Sequence, residues 1–186
     1  MPLGPKAIEQ RARAILEEHE LDELPVKVAE VAKRLGAEVR KKPSPDGISG
    51  MLWRQDGKPV IAVDSRDHRH RQRFTIAHEI GHLVLHADEV HVDRGYRSEA
   101  LRQGPSGVYR RSPRSSEGSD PMEIEANRFA ASLLMPAHQL DRSLELEGAI
   151  DPIRSTTVRE LAKAYQVSEQ AMVFRLMNLG RAVESA

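Results

Sequence analysis

The stretch FTIAHEIGHLVL, residues 74–85, constrains this chain more than any other segment. Wound at about 3.6 residues per turn, it is apolar on nearly every side, so it reads as a helix buried inside a domain. Yet it carries His78, Glu79 and His82, and His86 follows directly. Charged and polar groups are rarely buried without partners, because nothing else replaces the water they lose. A buried helix of this composition must therefore find partners elsewhere in the chain.

Residues 78–82 form the pattern H-E-x-x-H. Positions i and i+4 share one helical face, one turn apart, so two imidazoles can reach one tetrahedral zinc ion at about 2.0–2.1 Å. Glu79, beside the first ligand, can reach water at the metal without being a ligand. It can take up a proton there and deliver one to a leaving amine. The competing structural reading is a core helix whose histidines bond backbone carbonyls and whose Glu79 pairs with an arginine such as Arg73.

Composition narrows the third ligand. The chain has no cysteine, which removes Cys zinc sites, a Cys nucleophile and a disulfide framework. His86 continues the i+4 series, but it lies about 12 Å from His78 along a straight helix. Three such histidines do not easily converge on one ion, so His86 reads as a helix-end or pocket-rim residue. The pattern H-E-x-x-H-x-x-G-x-x-H fails, with Leu85 at the glycine position and Asp88 at the third histidine. A carboxylate from a second helix remains, and EIEANRFA (123–130) offers two. Glu123 and Asn127 are i and i+4. Glu123 can bind zinc while Asn127 accepts from the outer N–H of a ligand histidine, fixing its tautomer. Glu125 sits about 200° around the helix from Glu123. It is the less favoured ligand and reads as an ion-pair partner.

The remaining chain fits one domain over residues 1–186. Lys and Arg number 28 and Asp and Glu 28, for a net charge of zero, which argues against non-specific nucleic-acid coating. Aromatics are only 4 %, so the core must be aliphatic and the fold rich in helix. No apolar run approaches the roughly 18 residues of a membrane span, and the first ten residues lack an apolar signal core. The expected compartment is the cytoplasm. Periodicity predicts helices over 6–20, 25–35, 67–86, 122–135, 137–147, 157–166 and 169–180. Ser65 or Asp67 is the expected cap of the third, a Thr157–Glu160 capping box of the sixth and Ser168 of the last. Strands are expected at 37–41, 48–54 and 59–64, the last two joined as a hairpin through Asp56-Gly57. Residues 91–121, rich in Ser, Gly, Pro and Arg, read as a flexible loop insertion, and 137–180 as a helical C-terminal part. Arg66, His68, Arg69, His70, Arg71 and Arg73 gather before the central helix, with Asp64 and Asp67 as local partners.

RQRFTIAHEIGH (71–82) and EIEANRFAASLLMP (123–136), with LPVKVAEVAKRLG (24–36) and LAKAYQVS (161–168), resemble the ImmA/IrrE family of zinc metallopeptidases. The resemblance spans roughly residues 20–180 in the family's order. It implies an α+β, zincin-like metallopeptidase domain, with a small β-sheet packed beside the buried H-E-x-x-H helix and a helical C-terminal part. It implies His78, His82 and Glu123 as Zn2+ ligands and Glu79 as catalytic base. It also implies a protein substrate, typically a helix-turn-helix repressor of the XRE type, whose cleavage lifts repression of phage, mobile-element or stress genes.

The 91–121 segment looks longer than is usual for that family. Arg94, Arg97, Arg102, Arg110, Arg111 and Arg114 read there as a solvated insertion, with a substrate-facing loop as the alternative. Zincins of this kind pair a sheet edge with substrate backbone, and the 48–64 hairpin could offer one. Tyr96 and Tyr109 are candidate oxyanion donors that read first as loop residues. Two further classes remain: a binding module that keeps the fold without the activity, and a DNA-binding regulator. The latter rests on the helix-turn-helix-like spacing of 161–179, whose second helix offers only Arg175 as a basic residue.

Overall fold

The computed structural model describes residues 3–44, 48–86, 120–145 and 156–181, and the backbone of 108–110. In chain order the elements are α1 (Pro5–Glu18), α2 (Val28–Arg34), β1 (Glu38–Lys42), β2 (Gly50–Gln55), β3 (Lys58–Asp64), α3 (Arg69–Leu85), β4 (Val108–Arg110), α4 (Pro121–Leu134), α5 (Ala137–Leu144), α6 (Thr156–Tyr165) and α7 (Glu169–Asn178). This is the α+β arrangement expected, with a small sheet beside the H-E-x-x-H helix.

The sheet order is β1-β3-β2-β4. β3 lies inside it, and Val60, Ile61 and Val63 are all buried, as an apolar run flanked on both edges should be. β1 runs parallel to β3, while β2 pairs antiparallel with it from Gly50↔Val63 to Gln55↔Lys58. The connecting turn places Asp56 at φ 52° and Gly57 at φ 78°, the left-handed pair that matches strand twist in a two-residue hairpin. β4 pairs antiparallel with β2, opposite Met51, Leu52 and Trp53. It falls inside the segment expected to be a loop. Three residues are too short to show a period, and what makes them a strand is the edge of β2.

α3 packs on β2 and β3, and its most extensive partner is α4. Every residue from Thr75 to His82 is buried, which meets the expectation for an all-round apolar helix. Its cap differs from the expected one. Neither Ser65 nor Asp67 caps it; His68 Nδ1 accepts from the His70 N–H at 3.3 Å. Asp67 instead pairs with Arg71 and Asp64 with Arg66, so the basic run at the helix start is partly neutralised locally. α6 is described from Thr156, one residue before the expected cap. Ser168 caps α7 as expected, its Oγ accepting from the Ala171 N–H at 3.1 Å.

α1 lays Ile8, Ala12, Ile15 and Leu16 against the core, an i, i+4, i+7, i+8 stripe. Each large member contributes about 1.5–3 kcal/mol on burial. A clamp ties α1 to the C-terminal helices. Arg175 on α7, only 5 % exposed, donates to both Glu9 carboxylate oxygens at 2.7 Å and to the Met135 carbonyl at 2.9 Å. Ser132 Oγ donates to Glu9 at 2.6 Å. Burial works to raise the Glu9 pKa, but the hydrogen bonds and charge of Arg175, aided by Ser132 and the Ala137 N–H, outweigh it and hold the group below its ordinary value.

A carboxylate with a depressed folded pKa adds stability that is fully present above its unfolded pKa and lost as pH falls through the folded one. Glu9→Gln should therefore destabilise the protein by about 2–3 kcal/mol at pH 7, less than a fully buried pair because Glu9 is partly exposed. It should also flatten the loss of stability below about pH 4.5, where the unfolded carboxyl begins to protonate. Urea unfolding at pH 7 and pH 3.5 measures both effects.

Candidate metal centre

The site is assembled where α3 crosses α4, and the crossing is close. A Cβ placed on Gly81 would lie 3.0 Å from the Ala126 Cα and 3.1 Å from its carbonyl oxygen. These are backbone atoms that cannot turn aside, so the helices approach this closely only because residue 81 has no side chain. The approach brings the α4 residues Glu123, Glu125 and Asn127 against the histidines of α3.

His78, His82 and Glu123 are all buried, and their ligand atoms lie within 4.8 Å of one another. His82 Nε2 is 3.0 Å from His78 Nε2 and 3.2 Å from Glu123 Oε1, and His78 Nε2 is 3.4 Å from Glu123 Oε2. Ligands bound to a tetrahedral zinc ion at its usual bond lengths stand about 3.3–3.4 Å apart. The three atoms therefore have the spacing that one small cation requires.

The hydrogen-bond directions agree with that fit. Asn127 Oδ1 lies 2.9 Å from His78 Nδ1. An amide oxygen only accepts, so Nδ1 carries a hydrogen, and Nε2 is the ring nitrogen that faces the other two candidate ligands. Burial alone would push the Glu123 pKa up. Hydrogen bonding and charge from His78 and His82 outweigh it and hold the carboxyl far below its ordinary value. Glu123 is thus an anion across the physiological range.

Glu79 is 4 % exposed and faces the start of β2. A Cβ at Gly50 would come within 2.9 Å of Glu79 Oε1 and would overlap the Thr75 methyl outright. The strand can pass this close to the carboxylate only as glycine. Arg73 is not its partner; the guanidinium donates to the Tyr165 and Gln166 carbonyls. The histidines bond side chains rather than the backbone carbonyls of the structural alternative.

Two residues set aside as ligands prove to be near neighbours of the site. His86, at the C-cap of α3, has its Nδ1 3.2 Å from His82 Nδ1, and Glu125 Oε2 lies 2.9 Å from His86 Nε2. The i, i+4 step from His82 to His86 was the available sequence signal. Gly50 and Gly81 were not singled out, because their reasons are tertiary. Tyr96 and the arginines at 94, 97, 102, 111 and 114 lie outside the described residues, as do the side chains of Tyr109 and Arg110.

Two histidines and a glutamate thus converge from two buried helices of an α+β fold, a group that could hold one metal ion. Residues 32–177 match the peptidase family described as the IrrE N-terminal-like domain, and the chain belongs to this family. It is similar to the radiation response metalloprotease IrrE of Deinococcus radiodurans, 31 % identical over 120 residues, which cover 63 % of this chain and 30 % of that protein. Its fold is similar to that of a Mycobacterium tuberculosis transcriptional regulator, with a TM-score of 0.59, 19 % identity, and coverage of 92 % of this chain and 46 % of the other. The matches thus span less than half the length of either relative. Among the described residues no helix is long and apolar enough to cross a membrane.

The crossing carries a prediction. Gly81→Ala gains about 1 kcal/mol of helix propensity but overpacks against backbone, at a cost of about 1–3 kcal/mol. Thermal unfolding should show net destabilisation of up to about 2 kcal/mol. Chelator competition should show metal affinity at least about tenfold weaker, since ligands from different helices must be held together.

Proposed function

We propose that the chain is a zinc-dependent endopeptidase that cleaves a helix-turn-helix repressor of the XRE type. The observation that carries this reading is the convergence of His78, His82 and Glu123 at tetrahedral spacing, with Glu79 next to the first histidine in the same buried helix. Two imidazoles and one glutamate form a donor set typical of catalytic zinc, which leaves a position for water or substrate. Zinc bound there supplies Lewis acidity, polarising the scissile carbonyl and acidifying water.

The chain's own residues do the rest. Glu79 takes a proton from the attacking water on its carboxylate and returns one to the leaving amide nitrogen, a role worth about 10²–10⁴ in rate. Glu123, held as a carboxylate, offsets part of the cation's charge. Asn127 fixes the His78 ring in the ligating tautomer. Gly50 leaves the Glu79 carboxylate room beside β2.

The substrate assignment rests on family membership and on the resemblance of the two central motifs. The reaction then belongs in the cytoplasm, where such repressors act. The DNA-binding alternative loses its one basic contact, because Arg175 is buried and engaged with Glu9. Purified chain incubated with helix-turn-helix repressors of the XRE type from its own source should cut its target into two fragments, mapped by mass spectrometry. Glu79→Gln should keep about one zinc per chain and cleave at least about 100-fold more slowly. Full cleavage by that variant would remove Glu79 from the mechanism. A zinc-loaded wild type that binds the repressor and leaves it intact would favour the binding-module reading.

A further inference from the structure

The basic run at the start of α3 takes no part in the metal site, and its arginines divide in two. Arg66 pairs with Asp64 and Arg71 with Asp67. Arg69 and Arg73 make no ion pair among the described residues. Both line a cavity of about 290 Å³, together with Lys27 before α2 and Lys41 on β1. The turn between α6 and α7 completes the lining with Gln166. We propose that this cavity binds a pyrophosphoryl group, either free or as part of a nucleotide. The inference does not rest on the peptidase reading, and its test involves no cleavage.

Among the described residues, four cations and no carboxylate line the cavity. Carboxylates on the neighbouring elements are engaged elsewhere, Glu30 with Lys33 and Arg34, and Glu38 with Arg40. Arg73 is half-buried, and its guanidinium donates to the Gln166 and Tyr165 carbonyls at 3.2 and 3.4 Å. Neutral acceptors of this kind leave its charge without a counter-ion. Burial, and then the charge of Arg69, lower its pKa, the expected effect of a cation taken from water and set beside another cation. An anion in the cavity offsets both costs. It would also stand beside the first turns of α3, where the macrodipole favours negative charge. The chain supplies no acidic side chain in that first turn.

The same features select the anion. A single carboxylate would neutralise one of the four cations, whereas a pyrophosphoryl group spreads several charges over the oxygens of two phosphorus centres. Guanidinium forks bind such oxyanions through paired hydrogen bonds, and ammonium groups act on them as point charges. The cavity is at the small end of ordinary ligand sites, which begin at about 300 Å³, and is too small to seat a folded partner. No aromatic side chain lines it among the described residues, so the bases of a single strand have no surface there on which to stack. Part of the wall is already held in place: Gln72 donates to the Ser65 and Asp67 carbonyls at 3.2 and 2.8 Å, which fixes the segment leading into α3.

Isothermal titration calorimetry of the full chain with pyrophosphate tests the site. The wild type should show one saturable site per chain. Arg69→Gln and Lys41→Gln, at exposed positions without ion-pair partners among the described residues, should each weaken binding about 10–100-fold, the effect of losing one charged hydrogen bond. Arg71→Gln removes a cation of the same run that is already paired, and should bind within about threefold of wild type. Chelation of a bound metal ion by pyrophosphate would be common to all the variants, so the differences among them report on the cavity. Adenosine diphosphate is titrated in parallel. Tighter binding than pyrophosphate, with the same dependence on Arg69 and Lys41, assigns the group to a nucleotide; weaker binding assigns it to the free anion. Absence of saturable binding overturns the proposal. So does a loss in Arg71→Gln as large as that in Arg69→Gln, which would mark a diffuse basic surface. A single-stranded oligonucleotide that binds through Arg69 and Lys41 where pyrophosphate does not would overturn it in favour of nucleic acid.

Discussion

The contact between Gly81 and Ala126 is the constraint on which the rest depends. α3 carries two of the three candidate ligands and the candidate base; α4 carries the third ligand and the outer partners. Neither helix makes a site alone. Their backbones must come close enough for one glutamate side chain to meet both imidazoles. A glycine on one helix facing an alanine on the other provides that approach. The remaining elements hold the crossing in place: the sheet supports one side of α3, and α1 packs on α4.

Burial makes the same crossing chemically consequential. His78, Glu79, His82, His86, Glu123 and Glu125 are all buried in one region, an arrangement that costs stability unless every group is paired or bound to a cation. The pairing is ordered. Asn127 faces the outer nitrogen of His78, His86 that of His82, and Glu125 that of His86. The depressed pKa of Glu123 belongs to the same pattern, since its anion faces two imidazoles at about 3 Å. The polar network thus supplies ligand atoms suited to a small divalent ion, in a chain that belongs to a peptidase family.

Much of this was legible in the sequence because the relevant spacings are local. His78 and His82, and Glu123 and Asn127, are i, i+4 pairs, and a helix places each pair on one face whatever surrounds it. The hairpin was legible from Asp56-Gly57, whose left-handed backbone the turn demands. What was not legible depends on contacts between segments. A helical wheel turns Glu125 away from Glu123 but says nothing of a histidine waiting at the end of another helix. The 12 Å separation that removes His86 as a ligand is silent about its contact with His82, one turn away. Ser65 and Asp67 both have cap chemistry, yet Asp67 is drawn off by Arg71 and the helix begins after His68. Gly81 reads in sequence as a weak helix residue, and β4 as part of a loop; only the facing helix and the edge of β2 give them their roles.

The central claim is that two histidines of α3 and one glutamate of α4 bind a single metal ion. X-ray absorption spectroscopy of the zinc-loaded chain, with metal content measured on the same sample, tests it most directly. The account predicts one zinc per chain, two imidazole nitrogens and otherwise oxygen ligands at about 2.0–2.2 Å, with the oxygen shell altered in Glu123→Gln. Sub-stoichiometric zinc, three imidazoles, or a spectrum indifferent to the loss of Glu123 would contradict it.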